Sequence, residues 1–216
     1  LTYELKVGIL IMWVKSPTEV DMTLYCDMDG VLVDFGAGAL ALVNGALEDP
    51  AAYDGCARYA TLRERLSELG RERVILVDLE KPEYRGLEKS EVIPEARWLM
   101  KQLIFAQGAE WWENLPWTPN GKELWAGLLK YNPTILSAPM AGSAGCEEGK
   151  MAWIQKNLGD VPVVLDDEKF HYAEGNVLVD DFAFNTIPWR ECGGEPVMHD
   201  DPHFEATLEL VGELLG

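Results

Sequence analysis

Four short apolar runs, each ending in a polar side chain, constrain this chain more than any other feature. Leu24-Tyr25-Cys26 runs into Asp27, and Thr134-Ile135-Leu136 into Ser137. Val163-Val164-Leu165 runs into Asp166-Asp167, and Val177-Leu178-Val179 into Asp180-Asp181. Such runs, separated by helical stretches, are the pattern of parallel strands buried on both faces. The fold class that follows is α/β with a parallel sheet. Ligands of such sheets bind beyond the carboxyl ends of the strands, which is where these polar groups fall. A fifth run, Pro196 to Met198, ends at His199-Asp200.

Helices are expected between the runs. Gly121 to Lys130 carries Leu124, Trp125, Leu128 and Leu129 at helical spacing. Glu147 to Leu158 repeats the pattern with Met151, Ile154 and Leu158, and Gly159 is a natural stop. Phe204 to Leu215 reads as a closing helix. From Asp27 to Ser137 there are 110 residues, whereas a strand–helix–strand unit needs only about 30. The surplus is an insertion that reads as mostly helical, over 38–47, 50–69 and 94–107. Leaving the chain after the first strand, it would hang over the carboxyl edge of the sheet as a lid. The domain division expected is 22–35 and 114–216 for the core and 36–113 for the insertion. Residues 1–21 read as an extension or as an extra strand from Lys6 to Val14.

Composition narrows the partners. Lys and Arg number 18 against 37 Asp and Glu, a net charge of −19. So acidic a chain has no general affinity for polymeric nucleic acid or for an anionic membrane. The apolar run Val7 to Val14 is shorter than the roughly 18 residues of a membrane span. Four scattered cysteines form neither a zinc motif nor a disulfide scaffold, so a cytoplasmic location is expected.

The chemistry concentrates in Asp27-Met28-Asp29-Gly30-Val31. Two carboxylates at i and i+2 can face one pocket once the chain leaves the pleat, and Gly30 permits a sharp turn. One can attack a phosphoryl group while the other serves as acid and base. Attack on an anion needs a cation. Asp180-Asp181, ending another strand, can help hold one, and oxygen ligands beside a phosphate favour Mg²⁺. Ser137 offers a hydroxyl and Lys150 a positive charge to the phosphate. Lys169 competes with Lys150, and Asp166-Asp167 competes with Asp180-Asp181, although a strand-ending turn is the simpler reading of the earlier pair.

In this order, Asp27-Met28-Asp29-Gly30-Val31, Ser137, Lys150 and Asp180-Asp181 resemble the four-motif signature of the haloacid dehalogenase (HAD) superfamily of phosphohydrolases. The stretches 24–35, Ile135-Leu136-Ser137-Ala138-Pro139, Lys150-Met151-Ala152-Trp153 and 177–181 resemble its pyrimidine 5′-nucleotidase and 5′(3′)-deoxyribonucleotidase branch. The resemblance implies a Rossmann-like core with a small helical cap after the first strand. It implies Asp27 as nucleophile and Mg²⁺ ligand, and Asp29 as acid/base with its carbonyl on the ion. It places Ser137 and Lys150 on phosphate, Asp180 on Mg²⁺ and Asp181 nearby. It implies a small phosphorylated substrate, a nucleoside monophosphate first among them. Asp29 argues against the dehalogenase branch, which lacks an acid there. Phe35, Trp111 and Trp112 could wall a base pocket, though packing is the better reading for any one of them. The three histidines read as structural or exposed.

Overall fold

The computed structural model describes residues 22–79 and 93–216; the two readings of residues 1–21 fall outside them. Five parallel strands form one sheet: β1 (Leu24–Cys26), β2 (Thr134–Ser137), β3 (Val163–Leu165), β4 (Val177–Asp180) and β5 (Glu195–Met198). Their order is β3-β2-β1-β4-β5. This is the expected Rossmann-like α/β core. Strand β4, between β1 and β5, is buried throughout, which is why its sequence is an unbroken apolar run up to Asp180.

Between β1 and β2 lie α1 (Phe35–Glu48), α2 (Ala57–Glu68), α3 (Leu76–Leu79), α4 (Pro94–Phe105), α5 (Ala109–Glu113) and α6 (Gly121–Leu128). The Asp34 carboxylate starts α1 by accepting from the Ala37 N–H at 2.8 Å. Ala39, Val43 and Leu47 then form a buried stripe at four-residue spacing. That stripe packs on α4, as do α2 and α3. Burying residues such as Val43 and Leu99, both at 0% exposure, stabilises this layer by about 2 kcal/mol each. The loop into α3 is pinned by Asp78, fully buried, which accepts two 3.0 Å bonds from Arg71 and one from the Ile75 N–H.

Two local expectations fail. Residues 50–69 are not one helix but a 3₁₀ turn, Pro50–Tyr53, and α2. Asp54-Gly55 breaks them apart, with Gly55 at φ +75°. The periodicity also misses a helix between β4 and β5. Here α7 (Cys146–Asn157) joins β2 to β3, α8 (Ala183–Glu191) joins β4 to β5, and α9 (Phe204–Leu215) closes the chain. Pro188 inside α8 disguises it. Among the described residues, no helix is long and apolar enough to cross a membrane.

Candidate active site

The chain moves outward from β1 to β2 and β3, then returns to place β4 on the other side of β1. The crevice at such a reversal is the natural ligand site of an open α/β sheet. Asp27 follows β1 directly and Asp180 ends β4, so the two carboxylates flank it. The Asp27 N–H still donates to the Val179 carbonyl at 2.9 Å, which fixes where the strand stops and the site begins.

After Asp27 the chain turns tightly. The N–H groups of Leu32 and Val33 both donate to the Met28 carbonyl, at 2.9 and 2.8 Å. Gly30 sits at φ +84°, and a β-carbon there would come within 2.3 Å of Asp181 Oδ2. Only glycine allows both the turn and the approach of Asp181. Gly30→Ala should therefore cost about 1–3 kcal/mol and displace Asp181. Isothermal titration with Mg²⁺ should show binding weakened about tenfold, a loss of about 1.4 kcal/mol.

Asp27, Asp180 and Asp181 each offer a carboxylate oxygen within 4.8 Å of the others. An all-oxygen donor set of this span fits Mg²⁺, which needs small adjustments to reach bonds of about 2.1 Å. Lys169 Nζ lies 2.7 Å from Asp27 Oδ1 and 2.7 Å from Asp180 Oδ2. Asp180 also accepts from the Phe182 N–H and the Asn185 amide. A carboxylate has about four lone-pair sites and these contacts fill them, so an ion at Asp180 would take the place of the Lys169 ammonium or of one of the Asn185 contacts. Burial pushes the Asp180 carboxyl up to about 6, helped by Asp27 and opposed by Lys169. Burial alone would lower the Lys169 pKa, but Asp27 and Asp180 outweigh it and hold the ammonium above its ordinary value. Two buried carboxylates thus share one buried cation.

A second lysine serves the other side of the site. Lys150 Nζ lies 2.6 Å from Asp29 Oδ2, and donates to Ser137 Oγ and the Ala138 carbonyl, both at 2.8 Å. Only 1% of Lys150 is exposed, so it is not a solvent-facing helical lysine. Its ammonium also lies 5.8 Å from the Trp112 ring centre, over the face. Its position depends on the seam between α5 and α7. A β-carbon at Gly145 or Gly149 would come within 2.3 Å of the Ala109 backbone, so these glycines let the helices touch and bring Lys150 inward.

The structure thus brings Asp27, Asp29, Ser137, Lys150, Asp180 and Asp181 to one rim, and adds Lys169. Asp166 lies apart, its carboxylate accepting from the Glu168 N–H and the Tyr172 hydroxyl, as a strand-ending turn does. The Cys26 thiol is fully buried, and burial pushes its pKa well up, with Asp27 adding to the shift.

A cavity of about 510 Å³ opens beside Asp29 and Asp181. Phe35, Ala39, Leu76, Leu79 and Met100 give it an apolar wall from the helical layer. Of the three aromatics expected to wall a base pocket, Phe35 alone lines it. Trp112 is 1% exposed, stacks on Phe35 at 5.7 Å and donates to Ser143 Oγ; Trp111 packs against both. They support the wall from behind. His199, read from the sequence as structural or exposed, is buried and lines the same cavity.

No protein-family profile and no curated protein matches the sequence. Solved structures do. A HAD-superfamily hydrolase from Ehrlichia chaffeensis superposes with a TM-score of 0.50 at 11% identity, over 90% of this chain and 97% of that one. A haloacid dehalogenase-like family hydrolase from Xanthomonas campestris gives 0.48 at 12% identity, over 89% and 91%. A Bacillus subtilis protein described as a HAD-hydrolase, bound to magnesium, gives 0.45 at 15% identity, over 90% and 98%. With its parallel five-stranded sheet and strand-end carboxylates, the chain has the fold of the HAD-superfamily hydrolases.

Proposed function

We propose that the protein is a Mg²⁺-dependent phosphomonoester hydrolase that works through a phosphorylated Asp27, with (deoxy)nucleoside 5′-monophosphates as its substrates. One observation carries this reading: Asp27 and Asp29 stand at one strand end, each paired with a different buried lysine, Lys169 and Lys150. A pure binding module has no need of the second acid, and a halide leaving group needs no proton.

The chemistry follows from the groups present. Lys169 holds Oδ1 of Asp27, which leaves the other oxygen to attack phosphorus as the bond to the leaving oxygen breaks. Asp29 gives its proton to that oxygen, and the alcohol departs. Asp29 then takes a proton from water, whose oxygen attacks phosphorus and breaks the bond to Asp27, releasing inorganic phosphate. Ser137 and Lys150 hold the phosphate oxygens. A phosphate competes with Asp29 for the Lys150 ammonium, and Asp29 is then free to exchange its proton. Bound at Asp27, Asp180 and Asp181, Mg²⁺ supplies positive charge that lets two anions meet. Helices α1 to α4 act as the cap, and the cavity volume falls in the usual range for small-molecule sites. Phe35 offers a face on which a base can stack.

The direct test is release of p-nitrophenol from p-nitrophenyl phosphate, with and without chelator, followed by a phosphate-release screen over nucleoside monophosphates and sugar phosphates. Activity should vanish with chelator and return with Mg²⁺. Chelator-resistant turnover would sink the metal; a screen in which sugar phosphates outrun every nucleotide would sink the nucleotide reading. Asp29→Ala should slow hydrolysis of an alkyl ester by about 10²–10⁴-fold. A phenolic ester, whose leaving group needs less protonation, should lose much less. Equal losses on both esters would exclude the acid role.

A further inference from the structure

The Lys150 ammonium has three N–H donors. They point to Asp29 Oδ2 at 2.6 Å, Ser137 Oγ at 2.8 Å and the Ala138 carbonyl at 2.8 Å. A phosphate can bind this lysine only by taking over at least one of those donors. During that exchange, a contact that uses no N–H keeps the ammonium in place.

Trp112 supplies such a contact. Its ring centre lies 5.8 Å from Lys150 Nζ, with the ammonium over the face. The attraction between a cation and a ring face uses the charge and not the protons. A carboxylate in the same place would cancel the charge that a phosphate needs, and a water would compete for the same donors. Trp112 is 1% exposed, so solvent screens the contact little. The ring is itself held. Its Nε1–H donates to Ser143 Oγ at 3.1 Å, Phe35 stacks on it at 5.7 Å, and Trp111 meets it edge-on at 4.9 Å. Ser143 is tied to the start of α7, where its carbonyl accepts from the Cys146 N–H. Gly149, next to Lys150, lets the indole come this close, since a β-carbon there would overlap Trp112 Cβ.

We infer that Trp112 is a positioning residue for the phosphate site: its indole face holds the Lys150 ammonium while a donor passes from Asp29 to the phosphate. The inference rests on the hydrolase reading above and extends it to a side chain behind the cavity wall.

Tryptophans carrying one to four fluorines, placed at position 112 alone in the full chain, test it. Fluorine withdraws electron density from the ring face and changes the ring's size little. With Mg²⁺ present, the inhibition constant of inorganic phosphate against p-nitrophenyl phosphate should rise stepwise, about tenfold by the last fluorine. A ring that only fills space would not respond. Mg²⁺ affinity, read by calorimetry without phosphate, should stay constant along the series, because the ring acts on Lys150 and not on Asp27, Asp180 and Asp181. Trp112→Phe keeps a ring face and should stay within about threefold of wild type, whereas Trp112→Leu should lose about tenfold in phosphate affinity. If p-nitrophenyl phosphate is hydrolysed but the fluorine series is flat, the inference falls and the hydrolase reading stands. Mg²⁺ affinity that falls in parallel with phosphate affinity also overturns the inference, since it marks a general loosening of the site. If no ester is hydrolysed, the hydrolase reading falls, and calorimetry with inorganic phosphate decides the rest. A graded series then upholds the role of Trp112 at an anion site, and a flat series or no binding overturns it.

Discussion

Asp27→Asn should reduce turnover of any phosphate ester by about 10⁴-fold or more, the scale on which loss of an enzyme's nucleophile is felt. The amide has the shape of the carboxylate but cannot form the phosphoryl bond. The fold should not suffer. Asp27 and Asp180 lie against the same ammonium, and removing one negative charge relieves their repulsion. Thermal unfolding of the variant without metal should therefore match or exceed that of the wild type. A variant that is fully folded and still active would remove Asp27 from the chemistry. One that is inactive and unfolded would show instead that the Asp27 carboxylate is a structural group.

Lys169→Met should have the largest effect on stability. Lys169 is 2% exposed and bridges two carboxylates that are 6% and 0% exposed. The methionine keeps most of the volume and removes the charge, so two buried anions face one another. Breaking a buried ion pair in this way costs about 3–5 kcal/mol. For a chain of this size that lowers Tm by about 6–20 °C. Mg²⁺ should restore part of the loss, because a divalent ion can take over the charge balance between Asp27 and Asp180. The measurement is Tm of wild type and variant in chelator and in Mg²⁺. The shift produced by Mg²⁺ should be larger for the variant. A variant whose Tm in chelator equals that of the wild type would mean that Lys169 does not balance these acids.

The sheet was legible chiefly through its inner strands, β4 being buried along its whole length. Val177, Leu178 and Val179 are all fully buried, so their apolar run could only be a strand, and Asp180 marks its end by chemistry alone. The motif carboxylates were legible for the same reason, being the first polar groups after each run. Choosing between Lys150 and Lys169 was beyond the sequence, since both are buried only through tertiary packing, and the structure uses both. The role of Phe35 at the cavity wall and of Trp111 and Trp112 behind it was equally hidden, because aromatic spacing does not say which ring faces a void. Leu76 and Leu79 come from α3 and Met100 from α4, and they meet only once those two helices pack on one another. Helix α8 was hidden by its proline, while the Asp54-Gly55 break inside residues 50–69 carried an ordinary turn signal that helical periodicity overrode.

The glycine seam between α5 and α7 decides which part of the molecule can swing. With backbone touching backbone at Ala109, α5 travels with the sheet, and so does Trp112 above Lys150. The pivot for any opening of the helical layer therefore falls before Ala109. Gly108 stands there with open space around its α-carbon, and the outgoing segment at Asp34 to Gly36, where α1 begins, supplies the other pivot. Opening would carry Leu76, Leu79 and Met100 away from the acids while leaving the Lys150–Ser137 contact assembled on the sheet.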